Sequence, residues 1–539
     1  MTNLSPTTQS ASSRVPGRWD IWLRLVIALA AGATIGAGVA VLSPGPFLNA
    51  WLPAWLLSSI SVYLLAQAWN WAGRGRALAW MVALAFLLRM VVGIGMSLAM
   101  PIWGYPEKEQ QAGYLFKDAY ARDMQAWDLA SSRHPLWTSF RDEFATDQYG
   151  GLLAVSAAIY RYISPDAHRS YLLLIVGAFF AALGAPFLLQ AVRLRWPERV
   201  GIIATWIYVL YPDAIFFGSG QMREPFLVGL AAIAFWLVLS WDQHSRAKWA
   251  GLIATLFGMA LISSRVAGAM IAFLAFLFLM EYVVGRLDER RRVIGRAGLV
   301  LALLLFVVFS WEWFRSATVW DVIVTQNDSG WVAKIIHEAT VKTGIAAEYL
   351  GPVLTTIYGL ARPVLPAAIT QDAQSTLWKV VGIVRSIGWY MLAPFLVYGL
   401  FAIWREQDPA RRRRLIWLAA TVFIWLVIAS ARGGGDAVDN PRYRSLLMPF
   451  LALLAAWAID WALAHRDAWL WRWIAIEGIF MTFFTIWYAS RYWKIWGRMS
   501  FWATVGWIVI LSGMVLVGGW AWDNMQSKKP AENGRGKVV

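Results

Sequence analysis

Between short polar breaks the chain repeatedly supplies runs of about 20 apolar residues, the length an α-helix needs to cross the hydrocarbon core of a bilayer. Inside lipid every backbone N–H and C=O must be satisfied from within, so such runs fold as helices and not as open sheet. The pattern predicts fourteen spans, at 21-43, 51-72, 77-103, 167-192, 199-217, 223-241, 248-264, 266-284, 295-313, 376-404, 414-431, 444-464, 468-489 and 500-520. An amphipathic stretch at 149-163 is too short to cross and is predicted to lie along the interface. Composition agrees: 59% of residues are hydrophobic and 15% charged, against about 45–50% and about 25% in soluble domains. Too few charges remain to clothe a water-facing surface. The expected fold class is therefore all-α, a polytopic membrane helical bundle with two extracytoplasmic loop regions.

Lys and Arg outnumber Asp and Glu by 48 to 32, a formal charge of +16. In a chain of this class the excess is read by position, because basic residues near span ends set orientation. Arg74/Arg76, Arg193/Arg195/Arg199, Arg246/Lys248, the run from Arg290 to Arg292, the run from Arg411 to Arg414 and the tail Lys528/Lys529/Arg535/Lys537 occupy alternate connections. They predict one cytoplasmic side carrying both termini, and no role in nucleic-acid binding. One break disagrees, since Arg491, Lys494 and Arg498 fall on the predicted outside. The first run follows a Ser/Thr-rich tail with Arg14 and Arg18, lacks a small-residue cleavage site, and reads as a retained helix. Many of the 36 tryptophans, Trp51, Trp55, Trp103, Trp311, Trp313 and Trp493 among them, stand at run ends and suit interfacial anchoring. No cysteine is present, which excludes disulfides and thiolate metal sites.

Two long loops, at 104-166 and 314-375, fall on the predicted outer side. The first holds nine acids in a chain otherwise poor in them: Glu107, Glu109, Asp118, Asp123, Asp128, Asp142, Glu143, Asp147 and Asp166. A carboxylate at the mouth of a bundle, partly desolvated, can take a proton from an acceptor hydroxyl. Asp123 is the first candidate for that base and Asp118 the second; the competing reading is a solvated helix face paired with Lys117 and Arg122. A second element, Tyr211-Pro212-Asp213 through Gly218-Ser219-Gly220 to Arg223-Glu224-Pro225, joins two spans on the same side. Charge at the hydrocarbon boundary is costly, so Arg223 and Glu224 are functional candidates, with a loop-ordering ion pair as the alternative. The third element runs from Arg432 through three glycines and Asp436 to Pro441-Arg442-Tyr443-Arg444. Guanidinium groups at that depth match a phosphate bidentately; ordinary head-group contact is the alternative. Arg265 is a further phosphate candidate, and Arg89, mid-helix, is predicted to pair inside the bundle. There is no phosphate-binding Gly-rich loop for a nucleotide. The five histidines His134, His168, His244, His337 and His465 have no metal-ligand spacing and read as structural or solvated.

Taken in order, these elements resemble the GT-C superfamily of polytopic glycosyltransferases, especially the protein O-mannosyltransferase and lipid A aminoarabinose transferase group. Asp123-Met-Gln-Ala-Trp127-Asp-Leu-Ala130 is similar to that family's acidic opening of the first outer loop, with Trp in the aromatic position. Pro212 and Glu224-Pro225 resemble its second outer loop, and Arg442-Tyr443-Arg444-Ser-Leu-Leu-Met-Pro449 its late Arg-Tyr-Arg entry to a helix. The matching core covers 77-464, with 1-76 adding a tail and two spans ahead of it and 465-539 adding the last spans and a basic tail. The Asp-Glu pair of many relatives is missing from the first acidic site.

The resemblance implies transfer of a sugar from a polyprenyl-phosphate donor to a glycan, lipid or protein acceptor on the outer face, with inversion at the anomeric carbon. In that picture Asp123 deprotonates the acceptor, with Asp118 as the second catalytic acid. Glu224 orients the acceptor or helps hold a divalent cation with the first-loop acids. Arg442, Arg444, Arg265 and Arg223 hold the departing phosphate, and Tyr443, Trp127 and Asp147 contact the acceptor. Some relatives use a metal and others do not, so a divalent cation is left open. Absence of an endoplasmic-reticulum signal points to a bacterial plasma (inner) membrane. Two other readings compete, a lipid-linked glycan polymerase or ligase and a lipid or sugar transporter (flippase). The first usually has its large outer loop late in the chain, and the second often shows internal repeats.

Overall fold

The computed structural model describes residues 18–141, 150–241, 245–283, 331–434, 436 and 438–527. Every regular element among them is helical. The expected span at 295-313, Asp147, the Arg290 to Arg292 run and the basic tail from 528 lie outside the described residues.

In chain order the helices are α1 (Arg18–Val41), α2 (Phe47–Trp71), α3 (Arg76–Trp103), α4 (Lys108–Gln111), α5 (Lys117–Ser131), α6 (Gly151–Tyr162), α7 (Tyr171–Arg193), α8 (Glu198–Leu210), α9 (Pro212–Gly218), α10 (Glu224–Leu239), α11 (Arg246–Ile262) and α12 (Ser264–Phe278). After the undescribed stretch come α13 (Trp331–Thr343), α14 (Ala347–Ala361), α15 (Leu365–Thr370), α16 (Thr376–Ala402), α17 (Pro409–Gly433), α18 (Asp439–Ser445), α19 (Met448–His465), α20 (Ala468–Tyr492) and α21 (Phe501–Ser527). Ten segments among the described residues are long and apolar enough to cross a membrane: α1, α2, α3, α7, α12 with its following turn, α16, α17, α19, α20 and α21. Among the described residues the chain is thus all-helical, with the long apolar helices of a membrane protein. α7 and α19 form its centre, with Ala and Leu side chains fully buried along their length. α1, α2, α20 and α21 flank it and turn Leu, Ile, Val and Trp outward, as helices facing lipid do. Trp103 and Trp493 stand exposed at span ends as the sequence suggests, while Trp51 and Trp55 stack on each other with centroids 5.3 Å apart.

Three expected spans take a different form. The run at 199-217 is two helices, α8 and α9, bent by 51°. Pro212 offers no N–H and pushes the residue before it out of the helical region, and Tyr211 is accordingly extended at ψ 120°. The run at 223-241 gives α10, of 16 residues, about 24 Å at 1.5 Å per residue and so shorter than a typical hydrocarbon core. The run at 248-264 gives α11, of 17 residues. The expected start at 444 moves to Met448, because Arg442 and Arg444 sit in the separate short helix α18 and Pro449 opens α19.

The two ends of the bundle differ. At one, Arg74 meets Asp20 (3.0 Å), Arg193 donates to Ala72 O (2.9 Å), Arg199 meets Asp460 (3.4 Å), Arg405 meets Asp467 and Arg472 meets Asp523 (2.6 Å). At the other, Asn49 donates to Asp166 (3.0 Å), Tyr171 to Ser97 (3.3 Å), α9 and α18 pack against α10, α9 also packs against α16, and Asp118 of α5 reaches Arg442 of α18. The basic break after α20 is at this second end, where Gln371 donates to the Tyr492 hydroxyl (2.9 Å) and Trp502 to Glu338 (3.0 Å).

Candidate active site

α5 begins after extended Phe116 and buries Ala119, Arg122, Asp123, Ala126 and Leu129, a stripe at helical spacing. Asp118 and Asp123 are five residues apart, about 140° around the helix at 3.6 residues per turn, so one helix aims its two acids into two different surroundings.

Asp123 faces inward and is 2% exposed. The Tyr114 hydroxyl donates to its Oδ2 at 2.5 Å, the Tyr160 hydroxyl donates to Oδ1, and His168 Nε2 lies 2.8 Å from Oδ2. Trp127 closes this nest, stacked on His168 at 5.3 Å and edge-on to Tyr160 at 5.8 Å. Burial and then the Asp123 charge push both phenols well above their ordinary range, which keeps Tyr114 and Tyr160 as donors.

Asp118 lies off the buried stripe, and its side chain is 58% exposed. Its Oδ2 is 3.2 Å from Arg442 Nη1, and Arg442 Nε is 2.6 Å from Glu224 Oε1. Here three distant stretches meet, at the first turn of α5, the first residue of α10 and the short helix α18. The sequence places each group locally. Glu224 opens α10 followed by Pro225, a favourable pairing of a carboxylate and an N1/N2 proline with a helix N-terminus. α18 is reached through the glycine run, where a Cβ at Gly433 would lie 2.6 Å from Asn440 Cα and Gly434 has φ 49°. The approach of α17 to α18 therefore depends on a residue without a side chain.

Arg442 and Arg444, two residues apart on that helix, point about 160° apart. Arg444 consequently enters a second, fully buried cluster. Its Nη2 is 3.5 Å from Asp213 Oδ2, its Nη1 donates to Arg362 O at 2.9 Å, and its guanidinium lies 3.6 Å from the Trp389 ring centroid. Arg385 Nε reaches the other Asp213 oxygen at 2.7 Å and lies over the rings of Phe216 and Phe217. Tyr443 turns away from both arginines: Arg432 lies over its ring at 5.4 Å, and its carbonyl accepts from Trp425.

Of the residues singled out in the sequence, the fold brings Asp118, Glu224 and Arg442 together, with Arg223 at the N-cap of α10 beside them. Asp123 and Trp127 form the nest behind. Arg444 is engaged in the Asp213 cluster, Arg265 stands exposed at the start of α12 with no ion pair to these groups, and Asp147 lies outside the described residues. His168, read as structural or solvated, is a packed hydrogen-bond partner of Asp123. Arg89, expected to pair inside the bundle, is 1% exposed, donates to Ala85 O at 2.8 Å and lies against the carbonyl end of α9 at Gly218. No acid pairs with it among the described residues. Tyr114, Tyr160 and Arg385 gave no pattern of their own in the sequence, because their partners are 9 to 172 residues away.

No group of three or more His, Asp or Glu side chains among the described residues is arranged to hold a metal ion. Asp118 and Glu224 share the Arg442 guanidinium between them, so these two acids already have a cation in place. Chemically the site offers a half-exposed carboxylate beside a guanidinium, at the end of a membrane bundle. No family model matches the chain, and no curated protein matches it.

Proposed function

We propose that the chain is a membrane glycosyltransferase of the GT-C kind, moving a sugar from a polyprenyl-phosphate donor to an acceptor with inversion. The observation that carries this reading is the junction of Asp118, Arg442 and Glu224. A carboxylate open to solvent stands 3.2 Å from a guanidinium whose own anchor is a buried carboxylate. Inverting transfer needs a base on the acceptor hydroxyl and a cation on the departing phosphate, on opposite sides of the anomeric carbon, so the Asp118–Arg442 contact opens as the sugar enters between them. Geometry favours Asp118 over Asp123 for the base, because Asp123 is closed off by its donors. Arg442 is the phosphate partner, held in line by Glu224. Arg444 acts behind it by fixing α18 against α9 and α16. The acceptor oxygen attacks the anomeric carbon as Asp118 takes its proton; the bond to the phosphate oxygen breaks, and that oxygen leaves as the lipid phosphate against Arg442. The donor needs no nucleotide-binding loop, since it reaches the site from the lipid.

The topology supports fourteen crossings. The bent α8 and α9, the shorter α10 and α11, and the apolar run at 295-313 add to the ten long helices. Tyr282 is at the basic end, where it contacts Arg195, Val238 and Leu239, and α13 lies at the site end. A crossing between them fits the run at 295-313. The basic residues at the far end from the site support a cytoplasmic assignment for that end and an extracytoplasmic one for the site. The test is to incubate purified protein with a panel of short-chain polyprenyl-phosphate sugars and an envelope extract as acceptor, following lipid phosphate by mass spectrometry. Release from at least one donor is expected. No release from any donor by folded protein would overturn the reading.

A further inference from the structure

The basic end carries a cavity of about 700 Å³ that the proposed reaction does not use. Its walls come from the C-terminus of α7, the turn after α12 and the start of α17, three places where the chain leaves the apolar core. Arg195, Arg411 and Arg414 line it, together with Trp196, Glu281 and Tyr282. Glu281 is shared. Arg414 contacts it through Nε, and Arg195 Nε is 3.6 Å away. Arg195 also donates to Leu239 O at 3.1 Å and to the Tyr282 hydroxyl at 3.3 Å, which fixes its plane. Arg411 meets Glu406, 3.5 Å away. Among the described residues three guanidiniums therefore meet two carboxylates, Glu281 and Glu406, and Arg414 spends only its Nε on Glu281. Trp196 is 4% exposed, and its indole N–H has no acceptor among the described residues. The excess of forked cations over carboxylates suits an anion rich in oxygen.

We propose that this cavity holds the phosphate of an anionic phospholipid head group. Two features favour lipid over a free anion. The cavity lies level with the ends of membrane-spanning helices, where head groups are, and its walls are Leu194, Trp196 and Pro197 as well as arginine, which suits a group that carries acyl chains beside it. The site is remote from Asp118 and Arg442 and stands whether or not the transferase reading does.

The experiment is native mass spectrometry of the delipidated full chain titrated with phosphatidylglycerol, with phosphatidylcholine as the neutral control and inorganic phosphate as the free anion. Arg414→Gln removes a cavity cation that also contacts Glu281. Arg411→Gln removes one that is partly exposed, so it reports even if the first variant fails to fold. Each is expected to weaken the first bound phosphatidylglycerol by about fivefold, as losing one basic group near an anionic lipid does, and to leave phosphatidylcholine binding unchanged. Equal binding of the two lipids by wild type, or wild-type phosphatidylglycerol affinity in Arg411→Gln, would overturn the proposal. So would displacement of the lipid by inorganic phosphate at equal concentration, which would assign the cavity to a free anion.

Discussion

Replacing Asp213 by Asn tests the buried scaffold behind the site. Asp213 is fully buried and sits between two guanidiniums, Arg385 at 2.7 Å and Arg444 at 3.5 Å, with the Tyr211 hydroxyl at 3.2 Å. Asn keeps the shape and an acceptor oxygen for Arg385, so the change removes charge far more than hydrogen bonding. Two cations then share a buried pocket with no anion between them. Removing one member of a buried pair costs about 3–5 kcal/mol, a large part of the roughly 5–15 kcal/mol that holds a typical domain folded. With unfolding entropy of about 2 cal/mol/K per residue, a chain of this length loses roughly 1 °C per kcal/mol, so the expected drop in melting temperature is roughly 3–5 °C. The assay is thermal unfolding of the detergent-solubilised protein. Adding Arg385→Gln to Asp213→Asn removes the surplus cation and is expected to recover half or more of the loss. A melting temperature for Asp213→Asn within about 1 °C of wild type would refute the reasoning, because the charge of Asp213 would then be doing nothing for the fold.

Asp123→Asn places an amide where two phenols donate and His168 approaches, so a loss of about 1–3 kcal/mol is expected in thermal unfolding; an unchanged midpoint would contradict the nest. Arg442→Lys keeps the charge but loses the fork that reaches Asp118 and Glu224 together, and transfer is expected to fall about 10–100-fold, the worth of one charge-assisted hydrogen bond. A wild-type rate in that variant would remove Arg442 from the phosphate site. Asp166, which joins Arg169 at 2.6 Å and Asn49, is held well below the usual carboxylate range, first by the Arg169 hydrogen bond. A depressed folded-state value stabilises the protein above the unfolded value of about 4 and loses that stability as pH falls through the folded value. Asp166→Asn is therefore expected to lower the melting temperature at neutral pH, with the gap to wild type closing below about pH 4. A gap that is constant with pH would show that the carboxylate charge is not the cause.

The spans were legible because hydrocarbon leaves a chain so little choice. A run such as 171–193 can only be helix in lipid, and its apolar length alone marks it. The bend in 199-217 was half legible: Pro212 was on view, yet composition counts the residues on both sides as one run. The late Arg-Tyr-Arg was legible as a motif but not as a geometry. Nothing in the letters says that these three residues form a short helix, which turns Arg442 toward Asp118 and Arg444 toward Asp213. Likewise Asp118 and Asp123 are equivalent as letters, and the helix phase of α5 separates them. That phase is set by which face Ala119, Ala126 and Leu129 bury, a fact about the neighbours. His168 was missed because a single histidine 45 residues from its partner carries no spacing signal.

The most direct test of the central claim compares wild type with Asp118→Asn in sealed vesicles of known orientation, using a polyprenyl-phosphate sugar that the wild type consumes. Transfer by the wild type is expected when the site faces the donor and acceptor, with a loss of about 10²–10⁴-fold in Asp118→Asn, the range general-base catalysis supplies, and melting temperature unchanged. Transfer at the wild-type rate by folded Asp118→Asn would contradict it.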